Sequence, residues 1–385
     1  MKVFNPSRQS LTKSAIVLLQ NYLQYFGFRA QIHFELEGCY VLEPKCKLTK
    51  SSTLNFNLIN KHLSHLNIEG EIVDEYWQNQ WEYVSLFNGQ SPLKEAQNLS
   101  HIIENLPLYF TQFHPIKETL IKPVVWSGDK GKLAEGSGQI FTHDTRSVHI
   151  PNAIQLNVSV IDNKGKNLIA DEYFGEYLQS CFLTTSLACC LLYLPEEAAF
   201  ERLALKTRYG LAEELCSPID ISGGHQGSIA LYKELGKHNQ KMGEEPLLYD
   251  ANNQVLSVQQ NWQKTARIEH RLGASSCHYD PFVNVLYGLL NVVNAVEVYQ
   301  QKQCKIPLDF IPVDLPKSLF THQVNKNEQS LGAIELFEKS NWFSQRINEI
   351  QQKAVQLKLN DSLDCPSQLG DKIKQAILQN YTFTL

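Results

Sequence analysis

The chain has 385 residues, 43% of them apolar and 19% charged, enough to build a large core and to exclude wholesale disorder or a small disulfide-stapled scaffold. Lys and Arg total 35 against 40 Asp and Glu, a net charge of -5 with no long basic run, so neither a nucleic-acid partner nor a membrane surface is expected. The amino terminus, MKVFNPSRQSLTKS, lacks an apolar signal core, and nine cysteines without regular spacing read as reduced thiols, so a cytoplasmic protein is expected.

In chain order, residues 11–26 place Ile16, Leu19 and Leu23 at helical spacing before Gly27. A strand follows in QIHFELEGCYVL, where Ile32, Phe34 and Leu36 alternate with His33, Glu35 and Glu37. Ser91-Pro92 is a cap residue followed by proline at the first turn, opening a helix with Leu93, Ala96, Leu99 and Ile103 on one side. The stretch Trp126 to Thr145, rich in glycine, serine and charge, reads as a long surface loop. IQLNVSVID alternates again, with Ile154, Leu156, Val158 and Val160 on one face and Gln155, Asn157 and Ser159 on the other. Apolar helix signals return at 174–194, where the adjacent Cys189 and Cys190 read as core packing, and again after Asp280-Pro281. Asn284, Asn291 and Asn294 interrupt the apolar run from Phe282 to Val298, which predicts a buried helix instead of a membrane span. The carboxyl-terminal region reads as amphipathic helices punctuated by Pro312, Pro316 and Pro366. Helices and short antiparallel-type strands alternate irregularly, which indicates the α+β class.

Three groups of residues can carry chemistry. Glu35 and Glu37 share a strand face with His33, and carboxylates that close repel unless solvated or bridged by a cation. Glu75 and Glu82 bracket a polar, aromatic turn, with Gln80 on the same face as Glu82. In Arg267-Ile-Glu-His-Arg271 both arginines flank Glu269 on one strand face, an arrangement that suits phosphate or carboxylate recognition and equally suits a structural row of ion pairs.

Taken in order, these motifs resemble the catalytic domain of glutamine synthetase. His33 to Glu37 is similar to that family's E-x-E strand, and Glu75-Tyr through Gln80-Trp-Glu82 to its E-Y-G-P-G-Q-[FY]-E. Ser91 to Ala96 resembles the D-P-L-x-A-A helix start, and Gln155 to Asn167 the H-x-H-x-S-L-x-D-x-x-G-x-N segment. Glu201-Arg202-Leu203 resembles K-R-L, and Arg267 to Arg271 the R-I-E-x-R strand, with Asp280-Pro281-Phe282 and Leu315 to Leu319 completing the set.

The resemblance implies a curved antiparallel sheet backed by helices, with residues 1–345 as the catalytic domain and 346–385 as a helical extension packed on it. It implies Glu37, Glu75 and Glu82 around one divalent cation, Mg²⁺ or Mn²⁺, and Glu35, Glu269 and Gln155 around another. It further implies Arg267 and Ser159 at the nucleotide, and Arg271 and Arg202 as catalytic residues holding the substrate carboxylate or phosphate, with Arg208 beside the amine substrate. The activity implied is an ATP-dependent carboxylate–amine ligase that activates a carboxylate as an acyl phosphate. A glutamate–cysteine ligase-like enzyme and a non-catalytic binding or regulatory relative are the alternatives.

The match also departs from the family. The small β-grasp domain that precedes the family's catalytic domain is expected to be missing, so the assembly is expected to be a homo-oligomer other than the usual dodecamer, with either the 126–145 loop, the favoured reading, or a separate protein covering the opening. Gln155 stands at the metal-binding histidine, with His143 or His149 as substitutes, and Arg208 stands where the family has an acid guarding its ammonium site. Gln226 to Ser228 and Lys233 fall where the family carries phosphate-directed arginines. An amine other than ammonia is therefore expected.

Overall fold

The computed structural model describes residues 6–43, 54–77, 79–126, 148–171, 173–208, 228–301, 313–325, 328–359 and 366–382. The first half of the chain runs through α1 (Pro6–Tyr25), β1 (Phe28–Leu42), α2 (Asn57–His65), β2 (Gly70–Asp74), β3 (Gln80–Ser85), α3 (Pro92–Phe113), β4 (Ile116–Leu120), β5 (Val124–Trp126), β6 (His149–Pro151) and β7 (Ala153–Asp162). Next come α4 (Phe174–Ser186), α5 (Cys190–Tyr193), α6 (Glu197–Arg208), β8 (Ile229–Tyr232), β9 (Glu244–Tyr249), β10 (Val255–Gln260), α7 (Trp262–Thr265) and β11 (Arg267–Ala274). The remainder holds α8 (Pro281–Gln300), β12 (His322–Asn325), β13 (Glu328–Ser330), α9 (Ala333–Lys339), α10 (Trp342–Gln356) and α11 (Leu369–Thr382).

Local chemistry sets the boundaries that matter for the site. Gly27, with φ of 81°, turns the chain from α1 into β1 in a conformation that a β-carbon would strain. Ser91 caps α3, its hydroxyl accepting the Lys94 N–H, and Asp280 caps α8 by accepting the N–H groups of Phe282 and Val283. α8 is apolar nearly all round because it is covered on all sides, by the sheet strands β1 and β7 and by α1, α3, α4 and α10. By length and composition alone it is able to cross a membrane, but 78% of that stretch is buried within the protein.

One large sheet positions the site. Its order is β2-β3-β1-β7-β11-β8, with β4 paired to the end of β1, and each of these pairings is antiparallel. Ile32, Phe34, Leu36, Ile154, Leu156, Val158 and Ile268 bury one face in a core shared with α1, α3 and α8. Period-two alternation then sends His33, Glu35, Glu37, Gln155, Asn157 and Glu269 to the opposite face. Cys189 and Cys190 are free thiols in that core. Phe343, Ile347 and Ile350 of α10 and Ile373 of α11 belong to the same core, and residue 346, the expected start of an extension, lies inside α10.

Candidate active site

Sheet register brings the acidic residues together. Glu37 on β1 stands directly opposite Glu82 on β3, Glu35 stands opposite Gln155 on β7, and Glu269 on β11 stands opposite Asn157. Glu35, Glu37, Glu75, Glu82, Glu269 and Gln155 all line one cavity of about 270 Å³. Arg267, Arg271 and Tyr232 also line it, with Lys237, Gln240 and Lys241 from the segment that follows β8.

A chain of polar contacts holds these groups. The Asn157 amide donates to Glu35 Oε1 at 2.9 Å and accepts from Arg267 Nε at 2.8 Å. Arg267 then pairs with one oxygen of Glu269 at 3.1 Å, and Arg271 with the other at 2.8 Å. The Arg267 guanidinium also lies 5.0 Å from the centre of the Tyr232 ring, a cation–π contact that fixes its plane. Glu37 Oε2 accepts the Ala153 backbone N–H at 2.8 Å, and its carbonyl accepts the Ser275 hydroxyl at 2.6 Å.

The electrostatics follow from crowding. Burial, reinforced by the charges of Glu35, Glu75, Glu37 and Glu269, pushes the Glu82 carboxyl up to about 10. Burial and Glu269 push Glu35 up to about 7, opposed by Arg267, Asn157 and Arg271. His33, buried with its ring 4.0 Å from that of Phe87, is lowered to about 4 by burial and then by Arg267, so it is a neutral ring at physiological pH.

The structure was compared with solved structures. A glutamine synthase homolog matches over 92% of this chain and 73% of its own, with a TM-score of 0.52 and 16% identity. GmaS, solved without ligand and as an ADP complex, matches over 97% of this chain and 75% of its own, with a TM-score of 0.53 and 12% identity. Plasmodium falciparum glutamine synthetase matches over 90% and 76%, at 0.50 and 15%. The chain has a glutamine synthetase-like fold. No family model and no curated protein matches it by sequence.

Within this glutamine synthetase-like fold, the donor set fits a hard divalent cation in chemistry: it is all oxygen and over-charged, with Glu37, Glu269 and Gln155 buried and Glu35, Glu75 and Glu82 half-buried. Gln155 adds a side-chain oxygen that is buried without a hydrogen-bond partner. Among the described residues, no three His, Cys, Asp or Glu side chains are grouped so as to hold a metal ion. Three of these groups already have protein partners: Glu269 is clasped by two arginines, Glu35 is bonded to Asn157, and Glu37 to the Ala153 backbone.

Other expected site residues fall elsewhere. Ser159 is buried on the correct face but bonds Gln31 and does not line the cavity. Arg202 is buried on α6, which packs on β5 and β11, and is likewise outside the lining. His149 stacks on Trp126 within the β5–β6 ribbon, 4.4 Å between ring centres. Arg208 ends α6, but its side chain lies outside the described residues, as do His143, residues 127–147, Gln226 and Gly227. Lys233 pairs with Glu176 at 2.6 Å instead of facing the cavity. Sequence reading missed Tyr232, Lys237 and Lys241 in the lining, and Asn157 as the link between Glu35 and Arg267. For Asn157 the signal was present, since it shares the Gln155 face of β7.

Proposed function

We propose that this protein is an ATP-dependent carboxylate–amine ligase, and that the cavity of Glu35, Glu37, Glu75, Glu82 and Glu269 beside Arg267 and Arg271 is its active site. The observation that carries the reading is the convergence of these residues, from β1, β3 and β11 and the chain between β2 and β3, onto one cavity within a glutamine synthetase-like fold. Mg²⁺ or Mn²⁺ would be held by Glu37, Glu75 and Glu82 and by Glu35, Glu269 and Gln155, and when bound would offset charge on the transferring phosphoryl group.

The chain's own residues do the positioning. Arg271 and Arg267, already oriented by Glu269 and Tyr232, present guanidinium planes to substrate carboxylate and to nucleotide phosphates. Lys237 and Lys241 add positive charge from the far wall, in a chain whose Gln226 and Lys233 stand where the resemblance expects arginine. The substrate carboxylate oxygen would attack the γ-phosphorus of ATP, releasing ADP and leaving an acyl phosphate. The amine nitrogen would then attack the acyl carbon, expelling phosphate and losing its proton to a carboxylate of the cavity. Arg208, in place of a guarding acid, favours an amine other than ammonia. One observation favours a non-catalytic relative: both oxygens of Glu269 are already paired, as in a structural ion-pair row.

A screen of amines for ADP release, with glutamate, ATP and Mg²⁺, tests the reading. Amine-dependent ADP release supports the ligase, and no turnover with any amine together with no ATP binding would leave the non-catalytic relative.

A further inference from the structure

A second cavity, of about 540 Å³, opens between α4, α8 and α10 and shares no residue with the cavity of Glu35 and Arg271. Its volume falls in the range of roughly 300–1,000 Å³ that small-molecule pockets occupy. Ser180, Thr184 and Ala188, four residues apart on α4, line it with short side chains, while α10 contributes Trp342 and Arg346. The large apolar side chains of its lining, Tyr177, Val298 and Trp342, are half-buried. It is therefore a recess, and not an exposed apolar patch of the kind that docks a macromolecule.

The charges of the lining are matched among themselves. Glu297 on α8 and Arg346 on α10 pair directly; Glu297 also takes Lys353 at 2.8 Å, and Arg346 also takes Glu349 at 3.0 Å. Two acids and two bases cancel, so an ionised guest finds no counterion here without breaking a pair. Thr185 is engaged as well. Its hydroxyl bonds Tyr287 and Asn291, both at 3.0 Å, and the chain continues through Ser186 to His270, between Glu269 and Arg271 on β11. Other polar groups are left over. Arg346 Nε donates to Asn294 Oδ1 at 2.5 Å, and because a guanidinium has only donors, the remaining end of that amide is its NH₂. This NH₂, the Trp342 indole N–H, the Ser180 hydroxyl and the Gln301 side-chain amide have no partner among the described residues.

We propose that this cavity is a second ligand site, which takes an uncharged small molecule bearing a primary or secondary amide on an apolar body. The two fixed donors, Asn294 and Trp342, call for a carbonyl oxygen. The oxygens of Ser180 and Gln301 accept the amide N–H, and Ala188 and Val298 border the apolar part. A carboxylate is the poorer guest, for it has no N–H to give and brings a charge without a counterion. The inference does not depend on the proposed ligase activity.

Labelling with 5-fluorotryptophan gives the full chain five fluorine reporters, and Trp342→Phe identifies the one that belongs to the cavity. Benzamide is the probe, and benzoate is its charged counterpart of the same shape. Benzamide is expected to move the Trp342 fluorine resonance saturably below about 10 mM. Benzoate is expected to bind at least about tenfold more weakly. Asn294→Asp keeps an oxygen for Arg346 but removes the free donor, and is expected to weaken benzamide at least about tenfold with the melting temperature unchanged. Ala188→Leu, which fills the recess from α4 and leaves every polar group in place, is expected to cause the same loss. A Trp342 resonance indifferent to benzamide overturns the proposal. So does benzoate binding as tightly as benzamide, or benzamide binding unaffected by both substitutions.

Discussion

At Glu82 the register of β1 and β3 sets one carboxylate directly across from another, Glu37, with Glu35, Glu75 and Glu269 nearby. Such a cluster destabilises the fold unless protons or cations neutralise it. Glu82→Gln is therefore expected to raise the melting temperature in EDTA, a gain on the order of 1 kcal/mol, and to shrink the stabilisation that Mg²⁺ gives the wild type. A variant less stable than wild type in EDTA, with the Mg²⁺ effect intact, would show that Glu82 is not part of a cation-binding cluster. Glu95, outside the lining of this cavity and fully buried in α3, offers a pH test. Burial pushes its carboxyl up to about 7, against hydrogen bonds from Ser85, Gln90 and Asn98 that favour the charged form. A raised folded-state pKa makes its contribution complete below the unfolded value near 4.5 and lost as pH rises through about 7. Glu95→Gln should accordingly gain stability relative to wild type at pH 8 but not at pH 5, and parallel melting curves across that range would refute this. At this scale the acidic residues were legible in the sequence because strand periodicity assigns a face to each. Lys237 and Lys241 were not, because they reach the cavity through chain topology, from a segment whose single short 3-10 turn, Lys237–Asn239, leaves no period in the sequence.

Among the elements, β1 carries the most: three neighbouring strands pair with it, and it supplies two of the five glutamates. Gly38 is what lets it do so. A β-carbon there would lie 2.4 Å from the Trp81 ring and 2.9 Å from the Leu120 carbonyl, so Gly38→Ala must displace either β3 or β4. Urea denaturation should show a loss of about 1–3 kcal/mol, and the Mg²⁺-dependent stabilisation should fall as Glu37 shifts with it. A neutral substitution would mean that the β1–β3 contact is looser than this packing requires. The strands β1, β7 and β11 and the capped helices α3 and α8 were legible because alternation, Ser91-Pro92 and Asp280-Pro281 are strong local signals. The ribbon of β9 and β10 was not foreseen: with both faces exposed it has no binary pattern, and only the Asp250 to Asn253 turn between two apolar runs marked it. The three-residue strands β5 and β6 are too short to leave any period.

For the whole molecule, it was the resemblance of the motifs, taken in chain order, to those of glutamine synthetase that indicated the fold. What the motifs did not reveal is that Glu269 is held between two arginines, a tertiary arrangement that decides how its oxygens are shared. The proposed reaction is activation of a carboxylate by ATP in this cavity. Hydroxylamine tests it most directly, since it captures an acyl phosphate whichever amine is the natural substrate. With ATP, Mg²⁺, hydroxylamine and a panel of carboxylic acids that includes glutamate, hydroxamate and ADP are expected in equal amounts, both lost in Arg271→Ala. ATP binding without hydroxamate from any acid, or product formation that survives Arg271→Ala unchanged, would contradict it.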